Sequence, residues 1–180
     1  MIYMVECGFN DPSRENEWND HYSGPKLDNV LKVPGFKTSQ RFFALDSETC
    51  PYLAIHTVES LSILEGQNYK GGGGGNFGTW QSYITDWTRS YYEGSVEAPN
   101  VPLGSYLALT DLTSEEIKGF NLNFIWLKAA GLECKSPQRG LAIISVEQKN
   151  NLSIQNSNLV RIFEPMVARK IESTNKVTYK

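Results

Sequence analysis

Two runs of sequence decide the fold: Phe36-Lys37-Thr38-Ser39-Gln40-Arg41-Phe42-Phe43-Ala44-Leu45 and Tyr52-Leu53-Ala54-Ile55-His56-Thr57-Val58. Both are rich in aromatic and β-branched residues, and the stretch between them, Asp46–Pro51, reads as a turn. They are expected to form an antiparallel pair of strands. Before them, Met1–Phe9 is short and β-rich and reads as a strand. Asp11-Pro12 then supplies an N-cap and a first helical residue, which predicts a helix to about Ser23 that breaks at Gly24-Pro25. A further helical turn, Lys26–Lys32, stops at Pro34-Gly35. After the pair, residues 60–69 read as helix, Gly71–Gly75 as a flexible loop, Thr79–Trp87 as weak helix and Arg89–Glu93 as a strand. The order β-α-β-β-α-β is that of the ferredoxin-like split βαβ unit.

The remainder repeats this order in a degenerate form. Gly94–Leu103, with two prolines and little periodicity, reads as a linker, and Gly104–Leu112 as a strand. Thr113 and Glu116 form a capping box, and the helix behind it should carry Ile117, Phe120, Phe124 and Leu127 on one face. Strands are expected at 140–147 and 159–164. Leu31-Lys32-Val33-Pro34-Gly35-Phe36 is echoed by Leu127-Lys128-Ala129-Ala130-Gly131-Leu132, each followed by a nearby Gln-Arg. These features divide the chain into residues 1–98 and 99–180 and predict duplication. A ferredoxin-like sheet carries helices on one face only, so two such sheets can bury their bare faces against each other. The expected fold class is therefore α+β, with tandem ferredoxin-like halves whose antiparallel sheets pack face to face.

Composition limits the function. The net charge is −3 with scattered Lys and Arg, so no basic stripe invites nucleic acid. The apolar runs are too short to span a membrane, and the first residues read as a strand and not as a signal peptide. Three cysteines, Cys7, Cys50 and Cys134, with no CxxC spacing, predict reduced thiols in a cytoplasmic protein. Nine Tyr, eight Phe and four Trp supply both core and walls for an apolar ligand.

Only two histidines are available for proton transfer near neutral pH. Alternation puts Tyr52, Ala54, His56 and Val58 on one face of their strand and Leu53 and Ile55 on the other. The purely apolar Leu53/Ile55 face is expected to pack on helices, which would aim His56 into the space between the sheets. Glu6, sharing a face with Ile2 and Met4 on the neighbouring strand, would then pair with it for acid–base work; a buried structural histidine is the other reading. His21, one turn after Trp18 and beside Asp20 and Tyr22, either lines the pocket mouth or is a solvated helix residue. Arg41 either holds an anionic oxygen of a ligand or makes a rim ion pair. Trp80, Tyr83 and Trp87 read as a helix face in the core or as a ligand-facing lid. No metal signature is present, Cys7 beside Glu6 is a poor nucleophile, and the glycine run lacks the pattern of a phosphate loop.

The stretch Glu17-Trp18-Asn19-Asp20-His21-Tyr22, then Leu31-Lys32-Val33-Pro34-Gly35-Phe36, then Arg41-Phe42 and Pro51-Tyr52-Leu53-Ala54-Ile55 resembles the EthD-like group of the dimeric α+β barrel superfamily. The resemblance covers residues 1–93 and fades beyond residue 100. It implies a barrel of two facing sheets with an interior pocket, and a homodimer as one mode of assembly. The superfamily includes isomerases, polyketide cyclases, cofactor-free monooxygenases, haem enzymes and proteins of unknown activity, so fold alone does not assign a reaction. Many members carry a Glu-His-x-Pro motif after the helical tyrosine. Here Pro25-Lys26-Leu27-Asp28 stands in its place, so no role of that histidine carries over.

The combined expectation is an enzyme that uses acid–base chemistry and no cofactor. It would act as a lyase, isomerase or cyclase on a small ring-containing or polyketide-like metabolite. His56, His21 and Glu6 are the catalytic candidates, and Arg41, Tyr52, Trp18, Tyr22 and Trp80 the substrate-binding ones. A cofactor-free or haem monooxygenase, the latter with His56 or His21 as axial ligand, and a non-catalytic small-molecule-binding protein are the alternatives.

Overall fold

In a computed structural model, described over residues 1–45, 50–72, 74–155 and 159–172, β1 (Ile2–Phe9) runs antiparallel between β3 (Tyr52–Val58) and β4 (Ile84–Glu93). β2 (Phe36–Ala44) lies beyond β3. In the second half β5 (Tyr106–Thr110) lies between β7 (Gln138–Ile144) and β8 (Arg161–Pro165), with β6 (Ile125–Leu132) beyond β7. The spatial orders are β4-β1-β3-β2 and β8-β5-β7-β6, so each half threads its four strands alike. β4 pairs with β6 and β2 with β8, and the two sheets close into an eight-stranded antiparallel barrel. A two-residue β9 (Lys170–Ile171) adds to β2 outside the ring. Because the ring closes within one chain, no second copy is needed to pair its strand edges. Most of the expected turn at Asp46–Pro51, residues 46–49, lies outside the described residues.

The barrel interior is apolar through its middle, where Ile2, Met4, Leu53, Leu107, Leu141 and Phe163 are fully buried. The linker after β4 packs into this interior. Gln40 donates Nε2–H to the Val101 carbonyl (2.7 Å) and accepts the Val101 N–H (3.2 Å), which seats Val101 and Ala98 in the core. Polar side chains reach the interior mainly as paired groups, as burial requires.

Helices cover the outer face of the first sheet. α1 (Glu15–His21) and α2 (Leu27–Leu31) are joined by a π-helical turn, Tyr22–Lys26. The expected break at Gly24-Pro25 is thus a widened turn inside a continuing helix, which accommodates the missing N–H of Pro25. α3 (Leu61–Glu65) and α4 (Gln67–Gly71) follow β3. Gly35 sits at φ +95°, where an added Cβ would lie 2.1 Å from Ile63 Cδ1, so close packing of α3 demands glycine there.

Two expected helices are corrected. The Thr113/Glu116 capping box forms, with the Thr113 hydroxyl donating to Glu116 Oε2 (2.8 Å), but only a 3-10 turn, Lys118–Phe120, follows. Asn121 adopts a left-handed φ of +49°, and the chain extends into β6. Gly119, Asn121 and Asn123 favour turns over helix, and this overrides the apolar spacing. Leu127–Gly131 therefore lies inside a strand, whereas Leu31–Gly35 ends α2. The short sequence echo does not mark equivalent junctions. Likewise Trp80 and Tyr83 lie in a 3-10 turn (Gly78–Tyr83) and Trp87 on β4, so the three share no helix face. α5 (Val146–Gln155) follows β7, and its Leu152 packs with Ala108, Ala142, Ile144 and Ile162 in a small aliphatic layer. Among the described residues no helix is long and apolar enough to cross a membrane.

Candidate functional site

Alternation along β3 runs opposite to the expected sense. Leu53 and Ile55 point into the barrel core, and Tyr52, Ala54, His56 and Val58 face the helices. In a closed barrel both faces are buried, and the interior takes the more apolar one because few segments reach it to satisfy polar groups; the linker does so for Gln40 and Thr57. His56 thus lies under the helical layer. The cavity lies there too, between the outer face of β1, β3 and β4 and the α2–α4 layer, with about 330 Å³ of empty space counting the part that opens to solvent. Its polar wall is Tyr3, Tyr22, Lys26, His56, Tyr69 and Trp87, and Gly74–Phe77 roof it.

His56 is 2% exposed. Its Nδ1 lies 2.9 Å from the Ser39 hydroxyl on β2, which leaves Nε2 as the nitrogen for the cavity. Tyr3 stacks on the imidazole (centroids 5.4 Å, planes 24° apart) and Phe36 meets it edge-on at 5.6 Å. Burial, assisted by the Lys26 charge, pulls its pKa down to about 3, so the ring is neutral at physiological pH. The Tyr3 and Tyr69 hydroxyls bond each other at 2.8 Å, and burial raises both pKa values. Lys26 donates to the Asn76 carbonyl, and burial lowers its ammonium to about 8. The stretch Pro25-Lys26-Leu27-Asp28 contributes this lysine. At Gly74 an added Cβ would meet the Tyr69 ring at 2.2 Å, so part of the glycine run is dictated by close packing of the roof.

The other candidates separate from this cavity. Glu6 is on the barrel side of β1, so it cannot pair with His56. It bonds Arg139 Nη1 (2.5 Å) and Arg161 Nη2 (2.7 Å), and Arg139 also clamps Asp111 with Nε and Nη2 (2.7 and 3.0 Å). Burial pushes the Glu6 carboxyl up, but the two guanidiniums outweigh it and hold the pKa below the usual value. Arg41 is fully buried in an aromatic cage, with its guanidinium carbon 4.5, 4.3 and 4.9 Å from the ring centres of Trp18, Tyr22 and Tyr52. Its Nη2 donates to Asn19 Oδ1 (2.8 Å) and Nη1 to the Ser23 hydroxyl (3.0 Å), which ties α1 to β2. That is a structural cation, neither a rim ion pair nor a cavity wall. Trp18 and Tyr52 belong to the same cage, and the Tyr52 hydroxyl donates to Glu15. His21 is exposed on α1, 6.2 Å from Trp80, which packs under Arg14. Of the eight named residues, His56 and Tyr22 line the cavity.

Tyr3, Tyr69, Ser39, Lys26 and Trp87 were not singled out as site residues by sequence reasoning. Tyr3 and Ser39 carried a usable signal: each alternates with barrel-facing neighbours, so correct facing of one strand would have placed both beside His56. The histidines do not fit an axial haem role. His56 is sealed between Tyr3, Phe36 and Ser39 in a cavity too small for a porphyrin, and His21 stands outside it. Among the described residues no group of three or more His, Cys, Asp or Glu is placed to hold a metal, and Cys7, Cys50 and Cys134 form no disulfide with one another.

No protein-family model matches the sequence, and no curated protein does either. Among solved structures, an anthrone oxidase-like protein superposes with a TM-score of 0.63 at 8% identity, covering 99% of this chain and 96% of the other. A presumed monooxygenase from Lactobacillus acidophilus NCFM superposes with a TM-score of 0.51 at 7% identity over 96% of each chain. This chain has an α+β barrel fold. At such identities the likeness carries architecture and not chemistry.

Proposed function

We propose that this chain is an EthD-like α+β barrel enzyme, a tandem of two ferredoxin-like halves, that removes a proton from a small, enolisable, ring-bearing molecule bound against His56. The repeated strand order supports the duplication. One observation carries the chemistry: a buried neutral imidazole, oriented by Ser39, at the wall of an aromatic cavity. In the tautomer whose Nδ1–H donates to the Ser39 hydroxyl, Nε2 holds the lone pair that accepts the proton. Burial and the Lys26 charge make the imidazole a weak base in the empty site; transfer forms an imidazolium and an enolate together, and the enolate's charge offsets both. The Lys26 ammonium steadies the enolate oxygen, and the Tyr3–Tyr69 hydroxyl pair, with one proton held in their mutual bond, offers the other as a donor beside it.

The enolate has several fates. Reprotonation elsewhere gives an isomerase, loss of a β-substituent a lyase, and attack on an internal carbonyl a cyclase. A second reading, favoured by the names of the two structural neighbours, is cofactor-free oxygenation. There the carbanion of an activated methylene takes up dioxygen. One oxygen atom becomes the oxygen of a new ketone at that carbon, and the other leaves as water with the two methylene hydrogens. One experiment separates these readings. Anthrone in deuterated water under nitrogen should exchange its methylene protons faster with the protein than without it, followed by NMR. In air, oxygen uptake with one quinone formed per dioxygen supports oxygenation; exchange without uptake supports the first reading. Binding without exchange or uptake makes the chain a non-catalytic binder and overturns both.

A further inference from the structure

Among the described residues, the charged side chain that lines the His56 cavity is cationic. Lys26 lines it, and Arg89 lies 5.3 Å from the Trp87 ring centre, acting on Tyr3 and Tyr69 as a positive charge although Glu133 pairs with it at 2.9 Å. The described lining residues include no Asp or Glu. Trp87 adds a second observation. Its indole Nε1–H is buried and, among the described residues, has no acceptor. An indole nitrogen can only donate, and burying a donor without a partner is unfavourable, so such a group marks a place where an acceptor is expected. Both side chains pack on Phe77: Lys26 Nζ is 5.4 Å from its ring centre, and Trp87 meets it edge-on at 5.5 Å. The other polar side chains of the wall are tyrosines, a neutral imidazole and Asn76, whose backbone carbonyl accepts from Lys26.

We infer that the cavity selects a flat, anionic ligand whose ionised oxygen, as phenolate, enolate or carboxylate, is received by the Lys26 ammonium and the Trp87 indole N–H. This rests on the reading of the cavity as the substrate site and narrows the substrate to an acid or to a molecule bound as its anion. Neutral ligands of the same shape leave the indole donor and the ammonium less well matched, and cations meet repulsion.

The probes are 1-naphthoate and 1-naphthamide, nearly identical in shape and differing in charge, titrated calorimetrically into the whole protein at pH 7 and low salt. The carboxylate is expected to bind at least tenfold more tightly. Lys26→Met should abolish that preference, and Trp87→Phe, which keeps the ring and removes the donor, should weaken the carboxylate severalfold. Near-UV circular dichroism checks that both variants fold. Equal binding of the two probes overturns the inference, as does a preference that survives in both folded variants. Val30→Trp, which fills the cavity, should abolish binding of both probes. If it does not, or if neither probe binds the wild type, the cavity is not the site and the reading beneath the inference falls with it.

Discussion

β1 and β3 present opposite surfaces to two different interiors. Toward the barrel they show Ile2, Met4, Leu53 and Ile55, with the one charge, Glu6, locked between Arg139 and Arg161. Toward the helices they show Tyr3, Val5, Tyr52 and His56, whose polar atoms find partners on other elements: Tyr69 on α4, Ser39 on β2, Glu15 and Asn19 on α1. Both surfaces are equally buried, so exposure does not distinguish them. What distinguishes them is access to adaptable partners. The closed ring satisfies its polar groups from its own strands and one linker, whereas the helix-covered face draws hydroxyls, amides and a glycine-rich roof from the segments packed on it. The first surface should therefore govern stability and the second should govern chemistry.

The sharpest way to break this contrast is His56→Ala. On the proposed reading it should slow proton exchange by about 10²–10⁴-fold, the range of general acid–base contributions. The barrel face is untouched, so cooperative urea unfolding should be retained. Unchanged exchange would detach the cavity from the chemistry and send the search to His21.

Arg139→Met probes the other surface. It leaves the Glu6 carboxylate buried with Arg161 alone and strips Asp111 of its clamp. Removing one partner of such a network costs about 3–5 kcal/mol, read as a lower urea midpoint at unchanged slope, while exchange per folded molecule stays near wild type. If stability holds and exchange falls, the assignment of roles to the two faces is reversed.

The same contrast explains what was legible in the sequence. The hairpin of β2 and β3 and the strand at the N-terminus follow from composition and period, because β-branched and aromatic runs bounded by Gly and Pro have few alternatives. Alternation separated Leu53 and Ile55 from His56, but alternation says only that there are two faces. Which one meets helices depends on ring closure through β4–β6 and β2–β8, contacts between residues far apart in sequence. Tyr69 and Lys26 depend on those contacts too, since nothing in α4 or in the π-helical turn announces what lies opposite. The second half was harder still: a correct capping box preceded a segment whose asparagines and glycine turn the chain out of helix.

Acid sharpens the comparison by a smaller amount. Unfolded, His56 should titrate near 6.5; folded, burial holds it near 3. Between those values the unfolded chain carries the extra proton, so stability falls as pH drops through the window, by about 2 kcal/mol from pH 7 to pH 5. The Glu6 carboxyl, lowered from 4.5 in the fold, adds a loss of the same sign only at lower pH. His21, also lowered by its partial burial, contributes a smaller loss in the same direction. Urea unfolding of wild type and His56→Ala at both pH values isolates the effect: the slope of stability against pH should shrink in the variant. An unchanged slope would mean that the folded ring binds its proton as readily as the unfolded one.

The smallest expected effect lies within the helix-covered face itself. Ser39 is fully buried, and its hydroxyl bonds the imidazole Nδ1. Ser39→Ala removes one hydrogen bond, leaves Nδ1 unsatisfied and opens little volume, so it should cost about 1 kcal/mol of stability. Its effect on exchange discriminates between two roles for the serine. If the hydroxyl only fills space, the rate is unchanged. If it selects the tautomer with Nε2 free to accept, part of the population switches to the tautomer protonated on Nε2. The rate then falls severalfold, less than for His56→Ala, and Ser39→Thr recovers it by restoring the hydroxyl. A drop as large as that of His56→Ala, with no recovery by threonine, would place a direct role in proton transfer on the serine hydroxyl and demote the imidazole to its partner.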